Sequence, residues 1–211
     1  MAITGIVGSK MGMASIYDEQ RRIIPVTLVD VSGCVVTQIK TDEDCGYNAV
    51  QVGHDRVPER KLNRPQLGHL KPSGALVRGL AEFRVDEIGD IGVGQPVNSE
   101  GFSVGDRLKV TGITKGRGFS GGMRRHGFSG AQKTHGQSDR ARAPGSIGSG
   151  TYPGRVIPGM KMAGRYGGAR CTTRGLKLVR IDAEKNILFI KGAVPGPNHG
   201  KLIIQKQVTG R

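Results

Sequence analysis

Residues 115–175 constrain this fold more than any other stretch, because they cannot build a core. These 61 residues hold 16 glycines, 12 Lys or Arg and a single carboxylate, Asp139. They show neither the period of two that marks a half-buried strand nor the period of 3.6 that marks an amphipathic helix. Ordering such a segment costs on the order of 1–2 kcal/mol per residue in backbone entropy. Its few large apolar residues (Phe119, Phe128, Ile147, Tyr152, Val156, Ile157, Tyr166 and some methionines) do not offset that cost alone. A structureless stretch of this length within a compact chain is usually either functional or disordered. Strand-like runs lie on both sides, so it is inserted into the folded part rather than appended to it. We expect it to be flexible when free and ordered by a partner.

The flanking runs are short, rich in Val and Ile, and bounded by Gly, Asp, Asn or Pro. They are Ile23–Val31, Val35–Ile39, Ala49–Val52, Leu108–Ile113, Leu176–Ile181, Ile187–Lys191 and Leu202–Gln205, and each reads as a strand. The pair 176–181 and 187–191 reads as a hairpin, and Gly105-Asp106 as a turn before the strand at 107–113. Leu76–Ile88 reads as a short helix. Residues 54–75, polar and with three prolines, read as an irregular surface excursion. Strand–helix–strand alternation is absent. The expected fold is mainly β, a small closed or half-closed β-barrel. Residues 1–114 and 176–211 would form it, and 115–175 would be a long, irregular, Gly/Arg-rich internal extension.

Charge separates the same regions. Residues 1–114 carry 13 bases and 14 acids, and 176–211 carry seven bases and two acids, so most of the net +15 falls in 115–175. Such a block points to a polyanion, either nucleic acid or an acidic membrane, over a merely solvated basic loop. The N-terminal sequence has no apolar run long enough for a signal peptide or a membrane span. Cys34, Cys45 and Cys171 are odd in number, far apart and without C-x-x-C spacing. They argue against a disulfide framework or zinc site and suit a reducing cytosol. His54, His69, His126, His135 and His199 show no ligand spacing, so no metal is expected.

The stretch Lys115–Gly136, KGRGFSGGMRRHGFSGAQKTHG, contains Gly116-x-Gly118-x-x-Gly121 and follows a strand, with Asp139 near the distance a ribose-binding acid takes. A dinucleotide fingerprint also requires a helix opening at the last glycine and a second strand ending at the acid. Neither is legible, and kinase and Walker elements are absent. Ser129 lacks nucleophile-elbow spacing, and Asp139 alone leaves nothing for paired acid–base work. No enzyme and no cofactor are expected. Phosphate binding without chemistry fits instead. Arginine forks pair with phosphate oxygens, glycines let backbone N–H groups approach, and aromatics stack on unpaired bases. The residues expected to contact RNA are Lys115, Arg117, Phe119, Arg124, Arg125, His126, Lys133, His135, Arg140, Arg142, Ser146, Arg155, Lys161, Arg165, Arg170 and Arg174. An irregular folded RNA offers crevices for such a strand, so RNA is preferred to DNA, although a DNA-packaging arm is a rival reading.

The motifs reached so far resemble the bacterial form of the universal large-subunit ribosomal protein L three family, essentially end to end. The resemblance rests on Gly5-x-x-Gly8-x-Lys10-x-Gly12-Met13, Ile24-Pro25-Val26-Thr27 and Val110-Thr111-Gly112. It continues through Lys115-Gly116-x-Gly118-Phe119, Thr134-His135-Gly136-x-Ser138, Pro144-Gly145-Ser146-Ile147-Gly148, Pro153-Gly154-x-Val156 and Lys161-Met162-Ala163-Gly164. Val179-x-Ile181-Asp182-Ala183-Glu184 and Lys191-Gly192-Ala193-Val194-Pro195-Gly196 complete it.

The resemblance implies a translation-factor-type barrel on the outer face of the large subunit, with an extension running inward toward the peptidyl-transferase region. It implies early binding to large-subunit rRNA near its 3′ end, nucleation of assembly, and ribosomal proteins L fourteen and L nineteen as neighbours. The tip would be about 145–154, with Gly145, Ser149, Gly150, Thr151 and Tyr152 nearest the catalytic RNA. Some relatives carry a methylated glutamine there. Ser149-Gly150-Thr151-Tyr152 contains no Gln, so that modification does not carry over. Ala14 and Tyr17 stand where the family usually has Thr and Phe, which are mild changes.

Overall fold

The structure is a computed structural model and describes residues 4–89, 91–132 and 134–207. It divides into two compact units. One runs to Thr114 and resumes at Arg170, and the other is Lys115–Ala169. In chain order the strands are β1 (Gly5–Tyr17), β2 (Ile23–Asp30), β3 (Cys34–Lys40), β4 (Ala49–Arg56), β5 (Val77–Arg84), β6 (Pro96–Val97) and β7 (Arg107–Ile113). They continue as β8 (Phe119–Ser120), β9 (Gly164–Arg165), β10 (Arg170–Asp182), β11 (Ile187–Lys191) and β12 (Lys201–Lys206). The short helices are α1 (Asp42–Cys45), α2 (Arg64–Leu70) and α3 (Gly122–His126).

Six strands close an antiparallel barrel in the order β1-β12-β7-β10-β11-β2. Closure leaves no unpaired barrel edge. Alternation along β7 turns Leu108 and Val110 inward and leaves Arg107 and Ile113 exposed. They meet Ile6, Leu178, Leu188, Ile190, Leu202 and Ile204 in a core from which water is excluded. The expected hairpin is β10–β11. Its turn is fixed by Asn186 at φ 52° and by the Lys185 N–H donating to Asp182 Oδ1 at 3.2 Å.

A second sheet, ordered β5-β4-β3-β6, belongs to the same unit and adds Val36, Val50, Val52 and Phe83 to the core. The reading of Leu76–Ile88 as a short helix is therefore corrected. Val77–Arg84 is a strand, paired with β4 from Val77↔Arg56 to Arg84↔Ala49. Its ends, Val77 and Phe83, are buried among cross-strand neighbours, and that packing decides the conformation. The excursion at 54–75 is more regular than expected. It begins on β4 and contains α2, where the Asn63 N–H donates to Gln66 Oε1 at 2.9 Å, and its Leu62 and Leu70 pack with Val77.

Strand β1 was not legible because glycines interrupt its apolar pattern. A Cβ at Gly5 would overlap the Phe83 ring, and one at Gly8 would lie 2.7 Å from Val29 Cγ1 and 2.8 Å from the Asp30 carbonyl oxygen. These glycines allow close approach within a sheet rather than a turn. The start of β10 also differs from the sequence reading. Residues 170–175 pair with β7 from Arg170↔Ile113 to Thr173↔Val110, then pass a bulge at Arg174–Gly175 to Leu176↔Leu108. The Thr111 and Thr172 hydroxyls join across this pair at 2.9 Å.

Candidate nucleic-acid interface

The unit Lys115–Ala169 has a small framework of its own. Its two ends pair as β8 and β9, Phe119↔Arg165 and Ser120↔Gly164. The Arg117 N–H donates to the Tyr166 carbonyl and the Tyr166 N–H to the Gly118 carbonyl, both at 2.9 Å. Ten glycines of this unit have positive φ, so its glycine content largely answers a demand for turns. Gly167 shows the constraint best: at φ 72°, a Cβ there would overlap the Lys115 carbonyl oxygen.

Helix α3 opens at Gly121 and is stopped by Gly127, whose φ of 76° supplies the left-handed cap. A helix does therefore follow Gly116-x-Gly118-x-x-Gly121, which corrects the sequence reading. It has five residues and, among the described residues, is followed by no parallel strand, so the dinucleotide site is still missing. Two of its side chains converge on one acceptor. Arg125 Nη1 donates to the Met162 carbonyl at 2.8 Å, and His126 Nε2 lies 2.9 Å from the same oxygen. Gly164 has no side chain to block that guanidinium. Phe128 packs against Gly122 and tilts at 36° to the His126 ring, 5.8 Å away. Sequence reasoning missed the Met162 carbonyl, because nothing in a sequence marks which backbone oxygen an arginine will find.

Among the expected contact residues, Lys115, Arg117, Phe119, Arg124, His135, Arg140, Arg142, Ser146, Arg155, Lys161 and Arg165 are exposed, whereas Arg125 and His126 are half-buried. Phe119 is 82% exposed and Tyr152, at the expected tip, 88%. Gly145, Ser149, Gly150 and Thr151 are exposed as well. The Ser146 hydroxyl donates to the Gly148 carbonyl at 2.9 Å. Arg117 lies over the Tyr166 ring, 5.3 Å from its centroid. Arg140 lines a cavity of about 640 Å³ with Phe128, Gln137 and Pro144. Arg170 and Arg174 sit on β10, in the other unit. Lys133 lies outside the described residues. The structure brings Arg125 and His126 together, and Arg165 with Phe119.

The electrostatics are one-sided. Among the described residues, no Lys or Arg of 115–169 forms an ion pair with a carboxylate, and Ser120 is the one buried residue of that unit. The ion pairs found, such as Lys40 with Glu82 and Lys206 with Asp106, lie in the other unit. No group of three or more His, Cys, Asp or Glu among the described residues is placed to hold a metal, and no helix is long and apolar enough to cross a membrane.

Comparison with known proteins gives a consistent result. The family model described as ribosomal protein L3 matches residues 72–187. The chain is 46% identical over 209 residues to the large ribosomal subunit protein uL3 of Corynebacterium jeikeium (strain K411), covering 99% of this chain and 96% of that one. It is 47% identical over 208 residues to uL3 of Roseiflexus sp. (strain RS-1), covering 99% of each. It is 49% identical over 193 residues to uL3 of Synechococcus sp. (strain CC9311), covering 91% and 88%.

Proposed function

This chain belongs to the ribosomal protein L3 family, and from that premise we propose that its arm, about 115–169, threads and holds large-subunit rRNA. The protein is a structural, non-enzymatic constituent of the large ribosomal subunit. In our reading it binds the rRNA early, near the 3′ end, nucleates assembly, and works in the ribosome of the cytoplasm. The tip at about 145–154 extends toward the peptidyl-transferase region. Peptide-bond chemistry then belongs to the RNA, and the protein acts by positioning it. Ribosomal proteins L fourteen and L nineteen are the proposed neighbours.

One observation carries this reading: a set of exposed cations that, among the described residues, no carboxylate pairs with, on a segment without a core. Phosphates would supply both the missing charge and the missing packing, with backbone positioning rather than base reading as the main contribution. The barrel closes its own sheet and buries a core of its own.

The test follows from the ladder at the root. Ser120 pairs with Gly164, so replacing 121–163 by Asn-Gly closes β8 onto β9 as a tight hairpin. The shortened protein should keep the far-UV spectrum and cooperative melting of a β-barrel. Its affinity for transcribed large-subunit rRNA should fall steeply, and the slope of log K against log[salt] should shrink by about 0.7–0.9 for each phosphate contact removed. A folded variant with an unchanged slope would sink the proposal.

A further inference from the structure

We propose a second phosphate-binding site, on the barrel rather than the arm, formed by Arg107, Lys177 and Lys191 and fitted to the backbone of RNA. It rests on the reading of this protein as an rRNA binder and names a contact surface that the arm does not include. Arg107 on β7 stands directly opposite Lys177 on β10. Leu178 pairs with Ile190 on β11, so Lys191, the next residue, continues the row on the far side of Lys177. Three exposed cations thus stand in line across three neighbouring strands, spanning about 10 Å at the usual strand spacing.

Like charges placed directly opposite destabilise a sheet, and among the described residues no ion pair relieves these. The three side chains line one cavity of about 590 Å³ together with Gly105, Leu176 and Gly175, with no carboxylate among them. The acid next in sequence, Asp106, is already engaged. Its Oδ2 accepts the Ser103 N–H at 2.9 Å and pairs with Lys206 Nζ at 2.9 Å. On the other side Lys177 and Lys191 border a cavity that includes Asp18 and Glu19, but Asp18 is held by Arg22 at 3.1 Å, and Glu19 forms no ion pair with either lysine among the described residues. Among the described residues none of the three cations makes an ion pair.

The floor of the site is open. Gly105 would meet nothing within 4 Å if it carried a Cβ, and Gly175 only the Gln207 side chain at 3.9 Å. The two glycines therefore place no side chain of their own in the way of a phosphate. A row this long exceeds one phosphate and matches successive phosphates of a strand. With no aromatic ring in the lining, the site takes the backbone and does not read bases.

The experiment uses the full chain carrying Lys177→Gln and Lys191→Gln, with transcribed large-subunit rRNA as the probe in a filter-binding salt titration. We expect the log–log salt slope to fall by about 1.4–1.8, two contacts' worth, and affinity at low salt to drop about tenfold or more. An equal charge change at Lys61→Gln and Lys71→Gln, both exposed, should leave the slope nearly unchanged. In RNA-free protein at low salt, the Lys177/Lys191 variant should melt roughly 1–3 °C higher, because the opposed charges are gone. An unaltered slope in this variant, beside a reduced slope in the arm-shortened protein, would overturn the site and leave the arm reading standing. Unaltered slopes in both would remove the arm reading as well. Equal losses in the Lys61/Lys71 control would reduce the effect to overall charge and also overturn the site.

Discussion

Lowering the pH from 7 to 4.5 should destabilise this protein through one side chain, His54. It faces Gly79 across β4–β5, and its ring occupies the space a side chain at Gly79 would need. Among the described residues neither ring nitrogen has a hydrogen-bond partner. The ring borders a cavity of about 160 Å³ shared with Asp30, Asp55, His199 and Lys201. Burial, reinforced by the nearby Lys201 charge and opposed by Asp55, pushes its pKa down from 6.5 to about 4. The folded-state pKa lies below the unfolded one, so the unfolded chain takes up a proton first as pH falls. The neutral ring's contribution is therefore complete above pH 6.5, declines between 6.5 and 4, and changes no further below that.

At about 1.4 kcal/mol per pKa unit the full linkage is about 3 kcal/mol. Partial solvent access to the ring reduces it to about 2. Urea unfolding at pH 7 and 4.5, on wild type and on His54→Phe, isolates the term. Glu82, Asp18 and Asp106 also have lowered pKa values, through Lys40, Arg22 and the Ser103 N–H respectively, but they lose their contributions mainly below the ordinary carboxylate range and do so in both proteins. Wild type should lose about 1–2 kcal/mol more than the variant over this interval. His54→Gln, which keeps polarity but cannot titrate, should follow the variant. Parallel losses in all three proteins would refute the reasoning.

Three further outcomes are expected. Gly5→Val should cost about 1–3 kcal/mol in urea unfolding, because its side chain would meet the Phe83 ring in the core. Lys10→Met should cost about 1–3 kcal/mol and raise amide exchange over 194–200, because Lys10 Nζ donates to the Val194 and Gly196 carbonyls at 3.2 Å each. Arg21→Gly should raise the unfolding free energy measured in urea slightly, by about 0.5 kcal/mol, because Arg21 holds φ 59° in the exposed β1–β2 turn.

The strands with dense Val and Ile were legible from sequence because their burial shows in their composition: β2, β3, β7, β11 and β12 fall within a residue or two of expectation. β1 and β5 were not, for one shared reason. Gly5, Gly8 and Gly79 sit where another element presses on the strand, and a local pattern cannot distinguish such a glycine from a turn glycine. The basic, glycine-rich character of 115–175 was legible, since charge and glycine counts need no tertiary knowledge, but the pairing of 170–175 with β7 was not. Nor were the arm's internal supports. α3 depends on a left-handed Gly127 and on a carbonyl at Met162, 36 residues away from His126 in sequence. The barrel's row of cations was equally hidden, because Arg107, Lys177 and Lys191 become neighbours only through strand register.

The arm's cations consequently divide into two kinds. Arg125 is half-buried and bonded to the Met162 carbonyl, and Arg117 rests on the Tyr166 ring. Both already have intramolecular contacts that shape the backbone. Arg124, Arg142, Arg155 and Lys161 are exposed and, among the described residues, lie outside any ion pair. Counterion release depends on charges that meet phosphates, whereas the cost of ordering a partner-bound segment depends on how much of its shape exists beforehand. Replacing the second kind should therefore flatten the salt dependence. Replacing Arg125 by Ala should act mainly on shape, weakening RNA binding by a factor that persists at high salt, where phosphate contacts contribute least. A purely electrostatic arm would show no such persistent term, so the salt dependence of the Arg125→Ala deficit separates an arm partly shaped before binding from one that RNA alone shapes.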